Sequence, residues 1–145
     1  MIDKIHASVS IISAISAEGD LCYKTRTQAF TSSAIVLFLK YFLKKYPRRK
    51  LILIWDGAGI HRSQAVKDFL TTTNRLQLYR IPPYSPELNP DEMVWKQLKK
   101  VEMKNKFCKS LRELRKEVEE GLNNINAQPK IINSFFRKTS IAYYT

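Results

Sequence analysis

The stretch from Leu51 to Lys100 constrains this chain more than any other part of it. It opens with LILIW, an unbroken apolar run of the kind that reads as a strand buried on both faces. Asp56-Gly57 then cuts the run off. The carboxylate of Asp56 therefore falls at the carboxyl end of a strand, the edge at which open α/β sheets bind their ligands. Further along, Glu92 opens a helix. Asn89 suits its N-cap and Pro90 its first position, where a missing N–H costs nothing, and Val94, Leu98 and Val101 follow at helical spacing. At about 3.6 residues per turn Glu92 lies nearly opposite that apolar stripe, outside the core.

Each carboxylate also has a local explanation. Asp-Gly after a strand is a common turn, and Asn89 with Glu92 three positions on has the spacing of a capping box. What lies between them argues for more. Ser63 can cap a helix running to Leu70, with Ala65, Val66, Phe69 and Leu70 on its buried side, and Leu76 to Ile81 reads as the next strand. Strand, helix, strand is a right-handed crossover, which places Leu76 to Ile81 parallel to Leu51 to Trp55. Pro82, Pro83, Pro86 and Pro90 stiffen the loop that follows and fix the start of the Glu92 helix, so little entropy is left to lose when the two carboxylates meet.

Asp56 followed by His61 and Arg62, the segment PPYSPELNP, and then Glu92, Val94, Trp95 and Lys96 together resemble the DDE superfamily of transposases and integrases, in particular the bacterial insertion-sequence branch allied to the mariner elements. The resemblance runs from about His6 to Val101. Gly57 stands where that family usually has Asn, and Asp91 where it often has an aliphatic residue. The resemblance implies a ribonuclease-H-like α/β fold, a mixed sheet with flanking helices. It also implies an acidic triad holding two Mg²⁺ or Mn²⁺ ions for phosphodiester hydrolysis and strand transfer, with Asp56 as the second member and Glu92 as the third. The partners it implies are DNA, as transposon ends and target, and a second protomer in the complete transposase. His61 either bonds a phosphate near the metals or closes the turn, and Arg62 stands beside it. Lys96 and Lys99, four and seven residues after Glu92, share its helix face; they form an exposed Glu-to-Lys pattern or grip DNA, the reading favoured here.

The family's first Asp lies on an opening strand well before a hairpin that here reads HASVSIISAISAEGDLCYKT. Asp3 is the one carboxylate upstream of that hairpin, and it abuts the hairpin's first strand too closely to match. The expectation is a sheet lacking its first strand, with residues 1–106 a truncated catalytic domain and 107–145 its C-terminal helical extension. Two rival readings stand beside a transposase part: a non-catalytic remnant that binds DNA or a transposase partner, and a basic structural or RNA-binding protein.

Charge supports a polyanionic partner. The chain carries 25 Lys and Arg against 13 Asp and Glu, a formal +12, and 12 of the basic but 5 of the acidic residues lie from Lys96 onward. DNA contact is therefore expected toward the C-terminal third. The run Arg48-Arg49-Lys50 reads as a solvated loop. Neither a signal peptide nor a membrane span is evident, which makes the expected location cytoplasmic and nucleoid-associated, with no membrane partner. Cys22 and Cys108 lack the spacing of a zinc site and read as unpaired thiols.

The remaining elements follow from periodicity. A hairpin spans Ala7 to Thr25 around Glu18-Gly19-Asp20, and a helix capped by Thr31 or Ser32 carries Ile35, Phe38, Leu39 and Phe42 to Tyr46. The Glu92 helix is expected over Pro90 to Met103. Ser110 and Glu113 make a capping box for a helix with Leu111, Leu114, Val118, Leu122 and Ile125 along one side, limited by Gly121 and an Asn-rich turn. Pro129 starts a last helix with Ile131, Ile132, Phe135 and Phe136. These apolar faces need cover from the sheet or from another protomer.

Overall fold

Strands alternate their side chains between two faces, and the residues from Val9 to Arg26 use that alternation to build one wall of a core. The computed structural model describes residues 2–5, 9–55, 63–81, 89–104 and 106–137. They divide into two compact units, Met1–Ala29 with Pro86–Thr145 and Phe30–Ser85.

The first unit holds a three-stranded antiparallel sheet in the order β1 (Ile2–Ile5), β2 (Val9–Ile15), β3 (Leu21–Arg26). The hairpin is as expected, closed at Gly19, whose φ of +100° suits glycine and whose Cα approaches so closely that an added Cβ would stand 2.6 Å from Pro129 Cβ. β1 pairs with β2 in the register Ile2↔Ile12 to Ile5↔Val9, so a strand lies on the edge of β2 that the sequence left open. Val9, Ile11 and Leu21 form the sheet's contribution to a core completed by α3 (Glu92–Gln97), the segment Leu98–Glu102, α4 (Leu111–Asn126) and α5 (Pro129–Arg137). Val94, Trp95, Leu98, Leu114, Val118, Leu122, Ile125, Ile132 and Phe135 are its helical members. The sheet, with α3 and α5, thus covers Leu114, Val118, Leu122 and Ile125 of α4 and leaves Leu111 40% exposed. A polar ladder fixes the docking: Asn126 Oδ1 accepts from the Leu21 N–H at 3.1 Å, the Tyr23 hydroxyl donates to Asn123 Oδ1 at 2.7 Å, and Arg115 donates to the Thr25 carbonyl at 3.1 Å. α4 therefore runs antiparallel to β3 and satisfies two of its main-chain groups.

Three of these elements correct the sequence reading. The helix from Glu92 is α-helical only to Gln97; Leu98–Glu102 is a π-helix, closed by Met103 N–H to Leu98 C=O at 2.8 Å. The wider turn rotates Val101 off the stripe, leaving it 56% exposed, while Leu98 stays buried and Met103 packs against the core. Gly121 does not limit α4, which continues through it to Asn126. Instead it admits the π segment: a Cβ there would meet Leu98 Cδ1 at 2.6 Å and Glu102 Cβ at 2.9 Å.

The second unit contains α1 (Ser32–Lys45), β4 (Leu51–Trp55), α2 (Gln64–Leu70) and β5 (Leu76–Arg80). β4 and β5 are parallel, Leu51↔Leu76 through Trp55↔Arg80, as the crossover requires. Thr31 and Ser63 cap their helices by accepting from the N–H groups of Ala34 and Val66. Arg75 closes the other end of α1: its guanidinium donates to the carbonyls of Leu43, Tyr46 and Arg49 at 3.0, 2.9 and 3.2 Å. The reading of β4 as buried on both faces fails: Leu51 and Leu53 on one face are only half-buried, and the other face is open. Ile52 is 65% and Ile54 39% exposed, and Tyr79, opposite Ile54, is 55% exposed. No helix among the described residues is long and apolar enough to cross a membrane.

Candidate functional site

Glu92 is placed by the turn before it. The Asn89 side chain accepts from the Asp91 N–H at 3.1 Å, and the carbonyls of Asn89, Pro90 and Asp91 accept from the N–H groups of Glu92, Met93 and Val94 at 3.0 to 3.1 Å. Asn89 thus supports the entry turn through its side chain, although the sequence reading makes it the N-cap itself, with Pro90 as the first helical residue. The boundary itself falls at Asp91, because these bonds skip three residues and tighten the entry turn. Asp91 carries a feature that its sequence position did not announce. It is only 5% exposed, and the Ser13 hydroxyl of β2 stands 2.9 Å from both of its carboxylate oxygens. A buried carboxylate needs such a donor, and this one ties the first turn of α3 to the sheet across 78 residues of chain. The departure from an aliphatic residue at position 91 therefore comes with a polar partner on β2. Alternation along β2 could have flagged Ser13, which falls among apolar residues on the core face, but nothing in the sequence pairs it with Asp91.

Glu92, next in the chain, is half-buried at the head of α3. Lys96 lies one turn further on and is exposed; Lys99, also exposed, belongs to the π segment. Trp95 is buried in the core, and its indole N–H has no partner among the described residues, an orphan donor costing about 1–3 kcal/mol. Asp56, His61 and Arg62 lie outside the described residues; Asp56 directly follows Trp55, the last residue of β4. Asp3 lies in β1, opposite Ile11 of β2. Among the described residues no group of three or more His, Cys, Asp and Glu is placed to hold a metal. Cys22 is buried, and Cys108 is a half-buried free thiol. Burial, then the nearby Glu113 and Glu117 carboxylates, push the Cys108 thiol above its usual pKa.

The surface beyond Glu92 is cationic. From Lys96 to Lys116 the chain has nine basic and two acidic residues. The Glu113 carboxylate is occupied by the Lys109 N–H at 3.1 Å in the capping box read from the sequence, with Ser110 accepting from the Glu113 N–H. Glu117 binds Lys106 at 2.7 Å and holds its ammonium pKa above the usual range.

Comparison with known proteins converges on one group. The sequence profile of a family described as DDE superfamily endonuclease matches residues 3–115. A protein of Shigella sonnei described as the insertion element IS630 uncharacterized 39 kDa protein is 29% identical over 100 residues, covering 68% of this chain and 29% of that protein. Among solved structures, the Mos1 transposase catalytic domain with raltegravir and Mn superposes with a TM-score of 0.64 at 14% identity, covering 92% of this chain and 78% of that one. The Mos1 strand transfer complex gives 0.63 at 15%, covering 91% of this chain and 44% of that one. At such identities the structural likeness speaks for the fold alone, the mixed α/β fold of a ribonuclease-H-like catalytic domain. The match spans less than a third of the insertion-element protein and less than half of the strand-transfer chain.

Proposed function

Because the chain belongs to the DDE superfamily endonuclease family, we propose that it is part of an insertion-sequence transposase and that it supplies two carboxylates, Asp56 and Glu92, to a site for divalent metal ions. The observation that carries this reading is the anchoring of Glu92. Its helix start is fixed to β2 through Asp91 and Ser13, and a carboxylate held in that way is presented in one place rather than swept through solvent. The parallel pairing of β4 with β5 supports the second half of the reading, since Asp56 follows the carboxyl end of β4 in the chain.

The donor chemistry fits the group. Carboxylate oxygen is a hard ligand, suited to Mg²⁺ or Mn²⁺ and not to softer ions. Two such ions, when bound, stabilise charge on both the attacking and leaving oxygens of a phosphodiester. Asp91, committed to Ser13, serves the site by holding Glu92 in place. Lys96 and Lys99 give phosphates a cationic surface, and His61 and Arg62 are assigned to DNA as well. The reactions are cleavage at the element's ends by water and joining by the freed 3′-hydroxyl. Homodimerisation belongs to the complete transposase.

Two carboxylates are not three. The family's triad requires another Asp, and Asp3 stands too close to β2 in the chain to match it. The 145-residue chain is accordingly expected to bind Mn²⁺ weakly and to leave transposon-end DNA uncut. Mn²⁺ titration followed by electron paramagnetic resonance tests this: Asp56→Asn and Glu92→Gln should each abolish the residual binding. Cleavage by this chain, lost in Asp3→Ala as well as in Asp56→Ala, would make Asp3 the third ligand.

A further inference from the structure

In the unit formed by Met1–Ala29 and Pro86–Thr145, the large apolar side chains left exposed among the described residues all lie in one short stretch: Val101, Phe107 and Leu111. Phe107 is the extreme case at 90% exposure. Its neighbours are not loose. Lys106 donates its N–H to the Met103 carbonyl at 3.2 Å and its ammonium to Glu117 at 2.7 Å, and Cys108 packs against the core. A residue between two anchored neighbours is presented outward by the backbone. The ring is held in water, where a phenyl group gains nothing, while half-buried Cys108 takes the inward place beside it.

The surroundings say what such a ring fits. Lys104 and Lys109, both exposed, flank it, and the stretch from Lys96 to Lys116 carries a formal +7 of the chain's +12. The acids nearby are turned to local partners: Glu102 accepts from Asn124 at 3.1 Å and Glu113 from the Lys109 N–H at 3.1 Å. A lone aromatic amid lysines is a poor protein interface, whose centres are depleted of Lys. It is the combination that binds an unpaired nucleotide, the ring stacking on the base and the ammonium groups holding the phosphates. We propose that Phe107 is a stacking residue for an unpaired DNA base, with Lys104 and Lys109 on the adjoining phosphates. The inference rests on the DNA reading above and adds to it a contact for the single-stranded end that strand cleavage exposes.

The test compares two labelled DNAs matched in phosphate number, a blunt duplex and a duplex with a short single-stranded extension containing 2-aminopurine. The wild-type chain should bind the extended DNA about ten-fold more tightly than the blunt one, within the range of one base–aromatic stack, and should quench the 2-aminopurine. Phe107→Ala should lose both the preference and the quenching, and Phe107→Trp should keep both. Because the ring is exposed, its removal leaves the core intact, which circular dichroism will verify. Persistence of the preference or the quenching in Phe107→Ala overturns the stacking role. So does a fall in sedimenting mass in Phe107→Ala with the preference intact, which assigns the ring to a second copy of the chain. Equal binding of both DNAs by wild type overturns the stacking role alone; binding of neither overturns the DNA reading and the inference with it.

Discussion

The two sheets of this molecule use similar apolar residues to different ends. The antiparallel sheet turns Val9, Ile11 and Leu21 onto α3, α4 and α5 and leaves none of them exposed. The parallel pair β4–β5 is at least as apolar in sequence, yet Ile52, Ile54 and Tyr79 share a face that meets solvent. An apolar strand pattern records the packing a strand is suited to, whereas burial depends on what lies against it. The antiparallel sheet has its cover in the same compact unit, from helices far along the chain; the exposed face of β4–β5 has none among the described residues.

The largest expected effect sets one sheet against the other. Leu122→Ala removes a fully buried side chain of the α4 core and should cost about 2–5 kcal/mol, whereas Ile52→Ala should change stability by no more than about 0.5 kcal/mol. Urea unfolding monitored by tryptophan fluorescence measures both, and a cost at Ile52 approaching that at Leu122 would break the comparison. Next comes Gly121→Ala. Its Cβ must displace Leu98 and the Glu102 stem, at about 1–3 kcal/mol, and the loss should be smaller when Leu98 is shortened to Val in the same chain.

A smaller effect sharpens the contrast from the other side. In the Phe30–Ser85 unit a polar clamp adds to the buried side chains of α1, so Arg75→Ala should cost about 1–2 kcal/mol. Hydrogen exchange should show the loss confined to the last turn of α1; loss of protection in α4 would contradict it. The smallest effect is a titration. Burial raises the Cys108 pKa in the folded state, favouring the neutral thiol, so its contribution to stability is complete below the unfolded pKa of about 8.5 and is lost as pH rises toward the folded value. Alkylation of Cys108 at pH 8 should accordingly be slower in the folded chain than in urea, and Glu113→Gln should narrow the gap.

Much of the fold was legible because local chemistry and tertiary structure agree. Thr31, Ser63 and Ser110 cap the helices their neighbours suggested, and the parallel pairing of β4 with β5 follows from chain order and handedness. What escaped depends on contacts between distant residues. Val101 has the right spacing for a buried position, but only the π turn decides where that spacing leads. Gly121 reads as a helix breaker until Leu98 is seen to need the space, and Arg75 has no signal marking its carbonyl partners. The candidate site divides in the same way. The helical placing of Glu92 and Lys96 was legible from the residues around them, while the buried Asp91–Ser13 contact beneath Glu92 joins two positions that no local pattern relates.

The π segment carries a further consequence. A π turn holds one residue more than the α-helical turn it replaces, so Leu98–Glu102 has the form of a single-residue insertion that the helix absorbed without breaking. Related chains are then expected to fall into two length classes at this point. In the shorter class the helix continues in α form, its narrower girth no longer presses on α4, and the residue aligned with Gly121 is free to be larger.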